Sequence, residues 1–239
     1  MDFNPCQDEP HRLKPALLAA CLRQGRKSVS VTSMHCDDIT RAEVKAEGLR
    51  IKRNNFLAAA LSGAVLASIS IWFFPHSIPG ILGGFVLGFF YANGFEYCLH
   101  RFILHGPRGF FREQHLVHHA TLNCPEAARY VNFSRNPWGV VAIFLANGAP
   151  FLLLQWIFRD GWTAGVFAGF AVYYVAFEEI HWRMHMGGWL PKWLRPAARH
   201  HLLHHAQDSG RFNVFLPTFD LIAGSFGLQG RIHGDEAER

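Results

Sequence analysis

The chain has 239 residues, half of them hydrophobic, with a formal net charge of +5 and fifteen histidines. That length admits one domain or two. Five cysteines (Cys6, Cys21, Cys36, Cys98 and Cys124), odd in number and without a CxxC pair, argue against a disulfide framework, and apolar residues gathered in long blocks argue against a soluble fold.

Residues 1–54 read as a basic, polar segment. Its first 24 residues lack the apolar core of a secretory signal, and the basic run at 23–27 suits anionic lipid better than nucleic acid. Four blocks without a charged residue follow, at 56–74, 81–95, 138–158 and 162–177. With their flanks each approaches the ~20 residues that cross a ~30 Å hydrocarbon layer. Pro75, Pro79 and Gly80 break the chain between the first two blocks, and Arg159, Asp160 and Gly161 between the last two. The pattern predicts an all-α membrane protein with four transmembrane helices in two hairpins.

Basic residues set the expected orientation. Arg41, Lys45, Arg50, Lys52 and Arg53 precede the first span, and Arg101, Arg108, Arg112, Arg129 and Arg135 lie in the long connection after the second. Arg183, Lys192, Arg195 and Arg199 follow the fourth, whereas the two short turns carry only Arg159. Both termini and the long connection are therefore expected in the cytoplasm. The membrane unit is expected over 55–228, with a polar tail at 229–239.

Ten histidines fall in four clusters at the cytoplasmic ends of these spans: His100 and His105; His115, His118 and His119; His181 and His185; His201, His204 and His205. On a helix, positions i, i+3 and i+4 share one face, so each HxxHH cluster is expected to aim three imidazoles in one direction. His100 and His105, five apart, are splayed on an α-helix; they suit two different metals or a local break in the helix. A first-row metal takes four to six ligands, so ten imidazoles point to a dinuclear site. His200 falls at the edge of the shared arc and is expected to be peripheral. His11, His35, His76 and His233 lie outside the spacings.

Metal-bound imidazoles commonly donate their free N–H to a carboxylate. Glu96, four residues before His100, and Glu178, three before His181, are candidates, against the alternative of ion pairs with Arg101 or Arg183. Asp220 is a further candidate for the last cluster, and Glu179 is expected to be structural. Phe85, Phe89, Phe90, Phe167, Phe170 and Tyr173 can either line an acyl slot or simply pack, and packing is the reading preferred. The run EEIHWR (178–183) also fits a membrane-protease motif, and histidine-rich helices can transport metal. The first rival leaves ten histidines idle, and the second expects them near mid-bilayer.

At these boxes the sequence resembles the fatty acid hydroxylase superfamily, which includes sterol desaturases and fatty acid 2-hydroxylases. The segments at 96–105, 198–205 and 212–227, with Asn213, Pro217 and Asp220 in register, look closest to the 2-hydroxylase branch. The resemblance implies a di-iron oxygenase that hydroxylates a C–H bond of a fatty acyl chain or related lipid, using O2. Desaturation of a sterol, carotenoid or acyl chain is the alternative within the superfamily. It implies a cytoplasmic helical cap, from 100–137 and 182–228, that holds two iron ions. Zinc can sit on such histidines but carries no redox chemistry. With only about fifty residues before the first span, electrons are expected from a separate ferredoxin or cytochrome docked on the basic face.

Overall fold

The computed structural model describes residues 34–226 apart from 108, 123, 125, 160, 208 and 209. The basic run at 23–27, the tail at 229–239, His11 and His233 lie outside the described residues. The described residues are helical, with no strand among them. In order they form α1 (Met34–Phe73), α2 (Ile78–Cys98), a π-helix (Leu99–Leu104), α3 (Phe110–Ala120) and α4 (Ala127–Tyr130). There follow α5 (Pro137–Phe158), α6 (Thr163–Met186), a short 3-10 turn (Lys192–Leu194), α7 (Arg195–Gln207) and α8 (Thr218–Ile222).

Local chemistry sets the span boundaries. The Ser77 hydroxyl accepts the Gly80 N–H at 3.1 Å, capping α2, with Pro79 in the first turn where no donor is missed. Asn136 caps α5 the same way, accepting the Trp138 N–H at 3.0 Å ahead of Pro137. Arg159 ends α5 in the left-handed region, φ 55°.

Four helices are long and apolar enough to cross a membrane: Arg41–Phe73, Ile78–Leu104, Pro137–Phe158 and Thr163–Met186. At 1.5 Å per residue, the 40 residues of α1 extend about 60 Å, roughly twice the hydrocarbon thickness. Its first half therefore rises beyond the membrane. There Val44 packs with Ala127, Ala128, Val131 and Trp182, and Glu47 pairs with Arg129 at 2.7 Å. The boundary expected after residue 54 falls inside this one helix.

Helix α6 is central; two thirds of its most apolar window is buried, against about a quarter for the others. Packing runs across the expected hairpins, with α2 and α1 lying on α6, and α1 also on α5. The reason is a reciprocal pair of small-residue stripes. A Cβ placed at Gly84 or Gly88 of α2 would overlap the backbone of Trp162 or Val166, and one at Gly165 or Gly169 of α6 would overlap that of Ile81 or Phe85. Only glycine lets the two helices approach so closely. At the end away from the histidines, fully buried Ser70 joins Gln155 at 2.8 Å and Thr163 at 2.7 Å, tying three spans by hydrogen bonds that hydrocarbon cannot replace.

The six aromatics mostly pack, as the preferred reading has it. Phe167 is in the core, Phe89 packs edge-on to Tyr173, Phe85 lies against Gly169, and Phe90 is exposed. Of the six, Phe170 and Tyr173 line the cavity that reaches the histidines.

Candidate metal centre

The cap brings all ten clustered histidines together, in two groups of five. His100, His105, His115, His119 and His204 form one; His118, His181, His185, His201 and His205 form the other. Within each group the ligand nitrogens lie within 4.8 Å of one another.

The π-helix settles the splay of His100 and His105. The His105 N–H bonds the His100 carbonyl at 3.0 Å, an i→i+5 closure that widens the turn and brings both imidazoles to one group. The break in the helix, not a division between two metals, is what the spacing encodes.

The HxxHH clusters behave otherwise than expected. Each divides its three imidazoles between the groups: His115 and His119 join one while His118 crosses to the other, and His201 and His205 join one while His204 crosses. The i,i+4 pair stays together and the i+3 residue is exchanged between two facing helices. His119 and His205 stack at 4.1 Å between ring centroids, joining the groups.

The nitrogen spacing tests whether these residues fit a metal. The Nε2 of His115 lies 3.0 Å from the Nε2 atoms of His100, His105 and His119. The Nε2 of His201 meets those of His181, His185 and His205 at 2.9–3.0 Å. A neutral imidazole nitrogen carries one proton or one lone pair, so three such contacts cannot all be hydrogen bonds. Two imidazoles at right angles on one ion, each at about 2.1 Å, would sit about 3.0 Å apart; tetrahedral ligands would sit about 3.4 Å apart. The spacing fits higher coordination, with five imidazoles leaving room for an external ligand. Both ring nitrogens of buried His118 have no hydrogen-bond partner, which a ligand role resolves for one of them.

Burial keeps these rings in the neutral, ligating form. It lowers His105 to about 4, with Arg112 adding to the effect, and His119 to about 2, with neighbouring imidazoles adding. Burial and then the other histidines likewise push His115, His118, His201 and His205 well below the ordinary histidine range.

The acids do not bond the histidines they were matched to. Glu178 accepts from Tyr174 at 2.9 Å, the Phe133 N–H at 3.1 Å and Asn55 at 3.4 Å, and not from His181. Glu96 accepts from Tyr173 and from the Val214 N–H at 2.6 Å, and not from His100. Arg183 pairs with Glu179 at 2.6 Å, and Lys52 with Glu179 at 2.7 Å, which makes Glu179 the structural acid. On a helix the carboxylate and the histidine share a face, but packing turns each carboxylate sideways toward a loop N–H, of Phe133 for Glu178 and of Val214 for Glu96.

Asp220 bonds no clustered histidine either. It is fully buried, pairs with His200 at 3.0 Å, and accepts the N–H groups of Phe212 at 2.9 Å and Asn213 at 2.8 Å. Burial raises its carboxyl, but His200, Ser225 and these backbone donors together hold its pKa below the ordinary value. His200 is thus buried in its own pair, stacked on Phe226, and outside both groups.

Two of the clustered rings have backbone carbonyls as partners. Nδ1 of His100 bonds the Phe212 carbonyl, and Nδ1 of His204 bonds the Gly210 carbonyl at 2.6 Å. A carbonyl has no sequence signature, so these were not foreseen. Tyr173 and Tyr174, adjacent in the chain, are each bonded to a different buried glutamate; the sequence singled out Tyr173 only as an aromatic of the fourth span and gave no sign of Tyr174.

One cavity of about 220 Å³ touches both groups, through His100 and His115 on one side and His118, His181 and His201 on the other. Its wall is mostly apolar and aromatic, from Ala92 and Phe95 to Phe170 and Phe177.

Comparison with known proteins completes the picture. Residues 85–225, which contain all ten histidines, match the family described as Fatty acid hydroxylase. The chain belongs to this family. Among relatives, this fatty acid hydroxylase family member is 28% identical over 149 residues to "Fatty acid 2-hydroxylase" of Macaca fascicularis, covering 61% of the chain and 39% of the relative. It thus spans about two fifths of that protein's length. Among solved structures, "Full length scs7p (only hydroxylase domain visible)" shares the fold, with TM-score 0.52 and 21% identity over 71% of this chain and 64% of that one.

Proposed function

We propose that the protein is a membrane-bound di-iron oxygenase that hydroxylates a C–H bond of a fatty acyl chain or related lipid. The observation that carries this reading is one apolar cavity reaching histidines of both five-imidazole groups. Iron bound there would supply the O2 chemistry. The chain's own residues hold and place the reactants. His100, His105, His115, His119 and His204 would hold one ion, and His118, His181, His185, His201 and His205 the other. Phe95, Phe170 and Phe177 line an apolar slot that favours a hydrocarbon chain and excludes bulk water. The Glu96–Tyr173 and Glu178–Tyr174 pairs stiffen the walls beside the two groups, and Asp220 holds the loop behind His100.

On this reading the membrane unit runs over 55–228, with both termini and the metal site toward the cytoplasm, an orientation supported by the distribution of basic residues. Exposed Lys192, Arg195 and Arg199 give an acidic ferredoxin or cytochrome a surface to dock on.

The test is metal and product analysis together. Protein purified anaerobically should hold two iron ions per chain, and cells expressing it should gain lipids carrying one more oxygen atom. Lipids that instead lose two hydrogens would move the assignment to a desaturase of the same superfamily. One ion or none per chain would sink the dinuclear reading.

A further inference from the structure

The cavity wall is not uniform. Among the described residues, and aside from histidines, its one cation is Arg135 and its one acid is Glu96, and Glu96 is already bonded to Tyr173, Val214 and Asn213. Arg135 is exposed and has no carboxylate partner among the described residues, unlike Arg129 and Arg183, which pair with Glu47 and Glu179. Its guanidinium lies 5.4 Å from the centroid of the Tyr130 ring, another wall residue, an arrangement that holds the planar fork in place. Position in the chain adds a further constraint. Arg135 immediately precedes Asn136 and Pro137, which open the third span, and exposed Trp138 follows. That is headgroup depth, where tryptophan and arginine sit at a membrane surface. The positive end of the 22-residue α5 points to the same place.

We infer that Arg135 is the headgroup site of the cavity, and that the preferred ligand is an amphiphile whose polar end is an oxyanion, a carboxylate or a phosphate. The acyl chain enters beside Tyr130 and runs along the wall formed by the packed Phe95 and Phe170 rings toward the two histidine groups. A planar guanidinium with no competing acid binds such an oxyanion through two parallel hydrogen bonds. A neutral headgroup leaves this cation unanswered. The inference rests on the proposed lipid-oxidising role and names its substrate class.

The test uses metal-loaded protein in detergent and measures displacement of a fluorescent fatty acid by three palmitoyl lipids: palmitate, palmitoyl lysophosphatidate and neutral monopalmitoylglycerol. Each is compared between wild type and Arg135→Gln, so partitioning into micelles cancels. We expect Arg135→Gln to weaken an anionic lipid on the order of tenfold or more, the scale of one charged hydrogen-bonded pair, and to leave monopalmitoylglycerol unchanged. Arg135→Lys should recover part of the loss. Weakening of palmitate alone identifies a carboxylate ligand; weakening of lysophosphatidate alone identifies a phosphate; weakening of both identifies the shared oxyanion. Equal weakening of all three lipids, no weakening of any, or no binding by wild type would overturn the inference. Binding is read here and oxidation in the separate product analysis, so charge-selective binding without oxidation would sink the oxygenase reading alone, and oxidation without charge selectivity would sink only the role of Arg135.

Discussion

Phe212 is held at both ends of its residue by the site it supports: its N–H donates to Asp220 at 2.9 Å, and its carbonyl accepts from Nδ1 of His100. Asp220 therefore acts on a histidine of the first group through the backbone. Glu96, bonded to the Val214 N–H, clamps the same loop two residues on.

Asp220→Ala should release this loop and loosen the group containing His100 and His204. Losing a partner that orients a ligand typically costs 10–100-fold in metal affinity. Metal analysis after dialysis against a weak chelator should show about one ion lost per chain. Full metal content in a folded variant would remove Asp220 from the support of the site.

Glu178→Gln should keep both metals, because no histidine is bonded to Glu178. Its amide oxygen can still accept from Tyr174 and Phe133, so the cost is weakened buried hydrogen bonding, about 1–3 kcal/mol. Thermal unfolding should shift down while iron per chain stays at the wild-type value. A fall in iron with unchanged stability would show a route from Glu178 to His181 that the hydrogen bonds do not contain.

The stretch at 199–205 gives a sharper comparison. His204→Ala removes a ligand from one group, and His201→Ala or His205→Ala from the other, so each should lower bound metal and abolish oxidation. His200→Ala loses only the pair with Asp220 and the stack on Phe226, and should keep both ions with reduced stability. Metal loss in His200→Ala equal to that of its neighbours would contradict the division into groups.

Acid should destabilise the metal-free protein. His105 and His119 are held in the fold at about 4 and about 2, below the ordinary value of 6.5, so the unfolded chain binds protons first as pH falls. Stability therefore rises with pH wherever the unfolded state carries more protons. The contribution of His105 is complete above about 6.5 and shrinks until about 4, and that of His119 continues to shrink below that. Melting of chelator-stripped protein should hold level from pH 7.5 to about pH 6.5 and drop from there to pH 5, the ordinary histidine value marking the onset, and metal affinity should fall with it, since ligating imidazoles must be neutral. A flat melting profile across that range would contradict the burial of these rings.

The α2–α6 contact is testable at single methyl groups. Gly88→Ala would drive a Cβ into the Val166 backbone, whereas a Cβ at Gly83 meets nothing within 4 Å. Gly88→Ala should lower stability in detergent by about 1–3 kcal/mol, and Gly83→Ala should leave it unchanged. Equal behaviour would mean that the helices pack elsewhere.

Much of this was readable along the chain because it depends on short-range repetition. Charge-free blocks of span length mark helices whatever their neighbours, and histidines at i, i+3 and i+4 must share a helical face. Those rules located four apolar helices, ten imidazoles and a resemblance to the fatty acid hydroxylases. They also placed His200 apart from the rest, since an angle around one helix is a local quantity.

What the chain could not show is how faces meet. The division of each HxxHH cluster between two groups depends on the helix opposite, as does the turn of Glu96 and Glu178 away from His100 and His181. The closure that unites His100 with His105 depends on the widened turn at Leu99–Leu104, and the support of His100 and His204 comes from carbonyls of Phe212 and Gly210 more than a hundred residues and six residues away. Periodicity assigns a direction to a side chain; only packing decides what stands in that direction. The residue types were fixed by the sequence as a set of donors, and the tertiary structure alone sorted them into two sites around one cavity.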